Sequence, residues 1–143
     1  MRGPDEVVVV VRREEDYLVL RRVPERLGYW SIVAGGVEPG ETSSEAARRE
    51  LREETGLDAA LVELQPPLSY SLADDPPEVR ARYEPWIETV TVHPFLAAAP
   101  PSWEPELDAE HDAFRWCDAE EALSLLAYET PKQALRAATR LAT

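Results

Sequence analysis

Two apolar runs open the chain. Val7 to Val11 and Tyr17 to Val23 are β-branched or aliphatic, and the polar stretch RREED separates them, so they predict an antiparallel hairpin. YWSIVAGG predicts a third strand that ends on Gly35-Gly36, where the backbone can turn or approach a ligand closely. Pro39-Gly40 then marks a turn. From Thr42 to Thr55 the period changes. Ala46, Ala47, Leu51 and, beyond them, Leu57 share one stripe while charges fill the remaining positions, which predicts a helix. Thr42 and Glu45 form a capping box at its start, and Gly56 stands where a left-handed C-cap is wanted.

LVELQPP and LSYSLA predict short strand segments, and DDPPEVRARYEPW follows with proline and charge but no periodicity. A loop of that length is either a lid or specificity loop, or a plain surface excursion. IETVTVHPFLAA alternates well enough to be a central strand, APPSWEPELDAEHD is a second long loop, and AFRWC is a last strand. Asp118 caps AEEALSLLAY, and Thr130-Pro131 opens a terminal helix. Strands, one helix, strands again and helix at the end predict an α+β fold, an α/β/α sandwich around a mixed sheet. No repeat or internal boundary interrupts residues 1–143, which read as one domain large enough to bury a core.

Composition narrows the function. With 44% hydrophobic and 30% charged residues the chain has the balance of a folded globular protein rather than a disordered or membrane one. Val7 to Val11, the longest apolar run of the first half, is too short to cross a bilayer, and Met1 to Glu6 is not a secretory n-region. The single cysteine, Cys117, has no disulfide partner and reads as a buried apolar residue; a cytoplasmic protein is expected. The net charge of −13, from 28 acidic against 15 basic residues, argues against nonspecific binding to nucleic acid or to anionic membrane. A polyanionic substrate would need divalent cations to approach so acidic a protein.

The predicted helix carries Glu50, Glu53 and Glu54 within one sector of about 100°, because positions i, i+3 and i+4 are neighbours. Such a trio repels itself unless something positive sits among it. A Mg²⁺ or Mn²⁺ ion, which prefers oxygen ligands, is one answer. A solvated face balanced by Arg48, Arg49 and Arg52 is the other. The glycine-bearing strand end before the helix, the turn with Glu41 and the closing Gly56 favour the metal site.

The whole stretch GGVEPGETSSEAARRELREETGL resembles the Nudix box: G, five residues, E, seven residues, then R-E-U-x-E-E-x-G-U with U aliphatic. Gly35, Glu41, Arg49, Glu50, Leu51, Glu53, Glu54, Gly56 and Leu57 occupy every specified position. The resemblance implies the Nudix sandwich and hydrolysis of a nucleoside diphosphate linked to another moiety, with Mg²⁺ or Mn²⁺. It implies Glu50, Glu53 and Glu54 as metal ligands with help from the Gly35 carbonyl, and Arg49 paired to Glu41 or Glu50 so as to hold it in position. Glu53, Glu54 and Arg49 would then carry the catalysis. This agrees with the chemistry of a metal-bound water attacking phosphorus and a nearby carboxylate acting as general base.

AEHDAFRWCDAEEAL, with RARYEPW upstream and PKQAL downstream, resembles the bacterial dihydroneopterin triphosphate diphosphatases. The same E-H-x-A-aromatic-R/K-W cluster occurs in asymmetrical diadenosine tetraphosphate hydrolases, which typically show Pro-Lys-Gly-His where this chain has Val33-Ala34-Gly35-Gly36. The closer resemblance implies Glu110 as an additional metal ligand and Arg21 as a substrate-binding arginine. It also implies substrate contacts at Ala34, around Asp74 to Pro77, and at Tyr128. From the residues themselves, Glu110 is equally a loop carboxylate, His111 is a structural histidine rather than a base, and one of Arg21 and Arg22 must point inward. Tyr83 and Trp86, in the long loop, are the candidates for stacking on a planar ring; Trp116 belongs to the core.

The expectation is a metal-dependent pyrophosphohydrolase. It would cleave a nucleotide or pterin triphosphate to a monophosphate and pyrophosphate, and would have no nucleic-acid or membrane partner. A dinucleoside polyphosphate or nucleotide-sugar hydrolase is the alternative, followed by a Nudix-fold binding module without catalysis. Dimers are common among the resembling proteins, which makes a homodimer an option that no residue pattern here marks.

Overall fold

A computed structural model describes residues 1–142. Its centre is β1 (Asp5–Arg13), whose five consecutive valines are all buried. An unbroken apolar run, rather than an alternating one, is what a strand covered on both faces requires. Val7, Val9 and Val11 pack on one side against Ala46, Ala47 and Leu51 of α1 (Ser43–Thr55). Val8 and Val10 belong to the opposite core, with Ala134, Leu135 and Ala138 of α4 (Glu129–Ala142) and Ala122 of α3 (Ala119–Leu125). The result is a mixed sheet between helices, the α+β sandwich expected from the order of elements.

β7 (Thr89–Ala98) runs parallel to β1 from Asp5↔Thr91 to Arg12↔Ala98 and is the central strand predicted. β5 (Leu61–Glu63) and β6 (Leu68–Ser71) both pair antiparallel to it. β2 (Asp16–Arg22) forms the predicted hairpin with β1, but the two strands pair only at Arg12↔Tyr17 and Arg13↔Asp16. They part because YWSIVAGG is not one strand but two. β3 (Trp30–Ser31) pairs with β2, the chain shifts across at Ile32, and β4 (Val33–Gly36) pairs with β1 from Val9↔Val33 to Glu6↔Gly36. β2 completes its pairing with β8 (His111–Cys117). This switch carries Ala34, Gly35 and Gly36 into the middle of the sheet end that faces α1.

α1 has both ends stopped as its sequence requires. The Thr42 hydroxyl accepts from Glu45 N and the Glu45 carboxylate accepts from Thr42 N, while Gly56 takes φ 82° and donates to the Arg52 carbonyl. The long proline-rich loop is less free than its composition suggests. It holds a single helical turn, α2 (Pro77–Arg80), and Tyr83 and Ile87 beyond it are buried anchors. Backbone hydrogen bonds tie the second long loop to the rest of the fold. Ala99 N donates to Arg12 O, Glu106 N donates to Thr55 O at the end of α1, and Val23 N donates to Glu110 O. These ties bring Asp108, Ala109 and Glu110 beside the carboxylate face of α1. Among the described residues no helix is long and apolar enough to cross a membrane.

Candidate functional site

A cavity of about 510 Å³ opens where the end of β4, the carboxylate face of α1 and the second long loop meet. Its wall includes Ala34, Gly35, Gly36, Glu50, Glu53, Asp108 and Glu110, together with four arginines: Arg2, Arg22, Arg26 and Arg82.

Arg49 organises the carboxylates from behind. Its Nε and Nη2 donate to both oxygens of Glu41 at 2.8 and 3.0 Å, its Nη1 donates to Glu50 at 2.7 Å, and Nη2 also reaches the Gly36 carbonyl at 3.0 Å. A planar fork that bridges two carboxylates and a carbonyl fixes all three in space. The hydrogen bond from Arg49 also holds the Glu41 carboxyl below its ordinary range. Gly35 is required by packing rather than by backbone conformation: a Cβ there would fall on the Glu50 carboxylate.

The three helix glutamates occupy different environments. Glu53 is 56% exposed and lies 3.4 Å from Arg49. Glu50 is largely covered. Glu54 is only 2% exposed; it accepts from Ala34 N at 3.4 Å and faces the buried His111, whose Nε2 is 3.7 Å away and whose Nδ1 lies 2.8 Å from Asp108. Burial, then a hydrogen bond with Glu50 and the charges of Glu50 and Asp108, push the Glu54 carboxyl well above its ordinary value.

These residues suit a hard divalent ion. All the donors are oxygens, Gly35 leaves room for the Glu50 carboxylate, and burial of the Glu54 carboxyl beside Glu50 marks a place where positive charge is wanted. Among the described residues no three such side chains already converge as a cage. The reason is visible at the two exposed members: Glu53 leans to Arg49, and Glu110 lies 3.2 Å from Arg26. Both have solvent to turn through.

The remaining expected residues divide. Ala34 and Glu110 line the cavity. Arg21 does not; its Nε donates to Asp112 at 2.8 Å on the other side of β2, and the next residue, Arg22, faces the cavity, because neighbours in a strand point to opposite faces. Tyr83 is 3% exposed and turns its hydroxyl to Glu6, so it has no face to offer a ring. Trp86 is 69% exposed and stands outside the cavity wall. Tyr128 is exposed and meets the Tyr29 ring edge-on at 4.9 Å, while the Arg22 guanidinium lies 5.7 Å from the centre of Tyr29. That places an aromatic pair directly behind a cavity arginine. Trp116 is half-buried against the α1-side core, with its indole N–H donated to Glu104.

Sequence reasoning missed Arg2, Arg26, Arg82 and Asp108. In a chain with only 15 basic residues, the arginines of Met1-Arg2-Gly3-Pro4 and Arg80-Ala81-Arg82 were a usable signal, but nothing local tells which arginine faces a cavity.

The family model described as the NUDIX domain matches residues 2–138. Octanoyltransferase from Myxococcus xanthus is 36% identical over 139 residues, covering 96% of this chain and 34% of that one. Dihydroneopterin triphosphate diphosphatase from Escherichia coli K12 is 30% identical over 143 residues, covering 94% of this chain and 91% of its own. The chain spans from about a third to about a half of the length of the first curated relatives it matches. Among solved structures, the E. coli dihydroneopterin triphosphate pyrophosphohydrolase superposes with a TM-score of 0.80 at 30% identity, covering 93% of this chain and 92% of that one.

Proposed function

Because this chain belongs to the Nudix family of hydrolases, we propose that it is a Mg²⁺- or Mn²⁺-dependent pyrophosphohydrolase. It cleaves a nucleoside triphosphate-like substrate, with dihydroneopterin triphosphate a candidate, to a monophosphate and pyrophosphate. The observation that carries the reading is the wall of the cavity: four arginines and the carboxylates Glu50, Glu53, Asp108 and Glu110 around one space of about 510 Å³. That volume suits a nucleotide-sized ligand. Arginines recognise phosphate oxygens, and in a protein of net charge −13 four of them on one wall make a local exception to the field.

Glu50, Glu53, Glu54, Glu110 and the Gly35 carbonyl would hold the divalent ion. When bound, such an ion neutralises charge on the phosphate oxygens and makes a bound water nucleophilic near neutral pH. Arg2, Arg22, Arg26 and Arg82 bind and orient the phosphate chain. Arg49 keeps Glu41 and Glu50 in register with the end of β4. Glu53, the most exposed of the three helix glutamates, can turn from Arg49 through solvent toward the ion or its water, whereas Glu54 is held against Ala34 and His111. Tyr128 stands outside the cavity wall and joins it only through Tyr29, whose ring lies beside Arg22, so this pair is the candidate for the ring contact. Similarity to the dihydroneopterin triphosphate diphosphatase over most of both chains supports this choice of substrate class.

One observation favours a second reading, a dinucleoside polyphosphate or nucleotide-sugar substrate. A neighbouring cavity of about 560 Å³ shares Arg2, Gly36 and Glu50 with the first, which leaves room for a second moiety.

The test is release of pyrophosphate and orthophosphate from nucleoside triphosphates, dihydroneopterin triphosphate, diadenosine tetraphosphate and ADP-ribose, with and without Mg²⁺. Metal-dependent pyrophosphate from a triphosphate is expected, with Glu53→Gln and Glu54→Gln each lowering kcat at least tenfold. Unchanged turnover in both variants at saturating Mg²⁺ would sink the assignment of the helix.

A further inference from the structure

Arg2 reaches the cavity from the segment that precedes β1. Its backbone is fixed on both sides by the long proline-rich loop: Arg2 N donates to Arg82 O at 2.7 Å, and Glu84 N donates to Arg2 O at 3.2 Å. Its side chain is fixed by Glu6, whose Oε2 lies 3.3 Å from Arg2 Nη2, and by the Tyr83 ring 5.7 Å from the guanidinium carbon.

Glu6 is the hub of this arrangement. Its carboxylate accepts the Tyr70 hydroxyl on one oxygen and the Tyr83 hydroxyl on the other, each at 2.6 Å, and the two phenol oxygens stand 3.0 Å apart. Burial and the Glu6 charge raise both phenols, Tyr83 to about 12, so both remain donors throughout the working pH range. The three residues come from β1, β6 and the loop after α2, and the cluster joins those segments at one point. Beside it in sequence stands Arg82, which lines the same cavity as Arg2. Gly36 sits against the Arg2 guanidinium, where an added Cβ would come within 3.3 Å of Nε.

Resting on the reading above, we propose that Glu6, Tyr70 and Tyr83 form a positioning cluster that fixes Arg2 as a phosphate-binding arm of the site. The cluster touches neither substrate nor the carboxylate helix. It sets how tightly the phosphate chain is held and leaves the chemistry on α1 alone. A carboxylate bridging two phenols is stiffer than a single ion pair, and Glu6 meets Arg2 at one nitrogen while Arg2 still lines the cavity.

The experiment pairs Tyr70→Phe, Tyr83→Phe and Glu6→Gln with Arg2→Ala in double-mutant cycles. Two readouts are taken: steady-state kinetics on a triphosphate substrate with Mg²⁺, and calorimetric binding of inorganic tripolyphosphate with Mg²⁺. Each single variant is expected to raise KM and the tripolyphosphate Kd by three- to tenfold while kcat stays within twofold. Adding any of them to Arg2→Ala should weaken binding by less than twofold more, because the arm they position is already gone. Arg2→Lys should recover part of the loss. Full additivity with Arg2→Ala, or an equal fall in kcat and kcat/KM without a change in Kd, overturns the proposal. Thermal melts separate these outcomes from misfolding, and the phenylalanine variants, which remove one oxygen each, remain informative if Glu6→Gln does not fold. A wild-type protein that hydrolyses no triphosphate yet binds tripolyphosphate through Arg2 would refute the enzymatic reading and leave the positioning role standing. A wild-type protein that hydrolyses a triphosphate but does not bind tripolyphosphate refutes the positioning role alone.

Discussion

Gly35 shows most directly how one residue decides the site. Its Cβ would occupy the volume that the Glu50 carboxylate fills, so Gly35→Ala should displace Glu50 and cost at least tenfold in Mn²⁺ affinity. Titration calorimetry checks the affinity, and circular dichroism at low temperature checks that the fold survives. Glu54 gives a prediction in pH. Its folded-state value lies well above the ordinary 4.5, because burial and Glu50 disfavour the charge. A raised carboxyl contributes its stability fully below the unfolded value, and that contribution disappears as pH rises through the folded value. The metal-free protein should therefore melt progressively lower as pH rises above about 4.5, and Glu54→Gln should flatten that slope. An unaltered slope in the glutamine variant would mean that other groups set it. Saturating Mg²⁺ should remove most of the dependence in the wild type, since the ion replaces the proton.

At the level of elements, α1 is held by its two ends as well as by its apolar stripe. Thr42→Ala removes one half of the capping box and should destabilise by about 1 kcal/mol. Gly56→Ala meets nothing closer than 3.6 Å, so its cost is the left-handed backbone alone, again about 1 kcal/mol. The sites lie a whole helix apart, and the double variant should show the sum in urea unfolding. A clear departure from additivity would mean that the helix frays as a unit. Element boundaries were readable wherever such chemistry is local: the caps of α1, the Asp118 cap of α3 and the five valines of β1. The division of YWSIVAGG into β3 and β4 was not, because strand switching depends on which neighbour is available, and residues 29–36 do not encode their partners.

Across the whole molecule the charge distribution bears on the proposed function. A net charge of −13 repels a polyphosphate, while four arginines on one wall attract it over short range. Long-range repulsion is screened by salt more than close contacts are. Raising ionic strength from low values at fixed saturating Mg²⁺ should therefore increase the apparent association rate of a triphosphate, measured by stopped flow, before it weakens the arginine contacts. A monotonic fall would show that the arginines govern the field at all distances.

What the sequence determined by itself was the carboxylate helix. Its ligand-type residues, caps and apolar stripe all lie within 23 residues, and their relation is set by helical period and by the few conformations open to Gly35, Pro39-Gly40 and Gly56. What only the tertiary structure decided was the other wall. Arg2, Arg22, Arg26 and Arg82 come from positions as far apart as 80 residues, and their meeting depends on loop ties such as Arg2 to Arg82 and Val23 to Glu110. Arg21 and Arg22 are identical in type and adjacent, so only the sheet's two faces distinguish the one paired with Asp112 from the one in the cavity. Tyr83 made the same point in reverse: a ring in a polar loop is stacking surface by composition, and core once Glu6 and Tyr70 close around its hydroxyl.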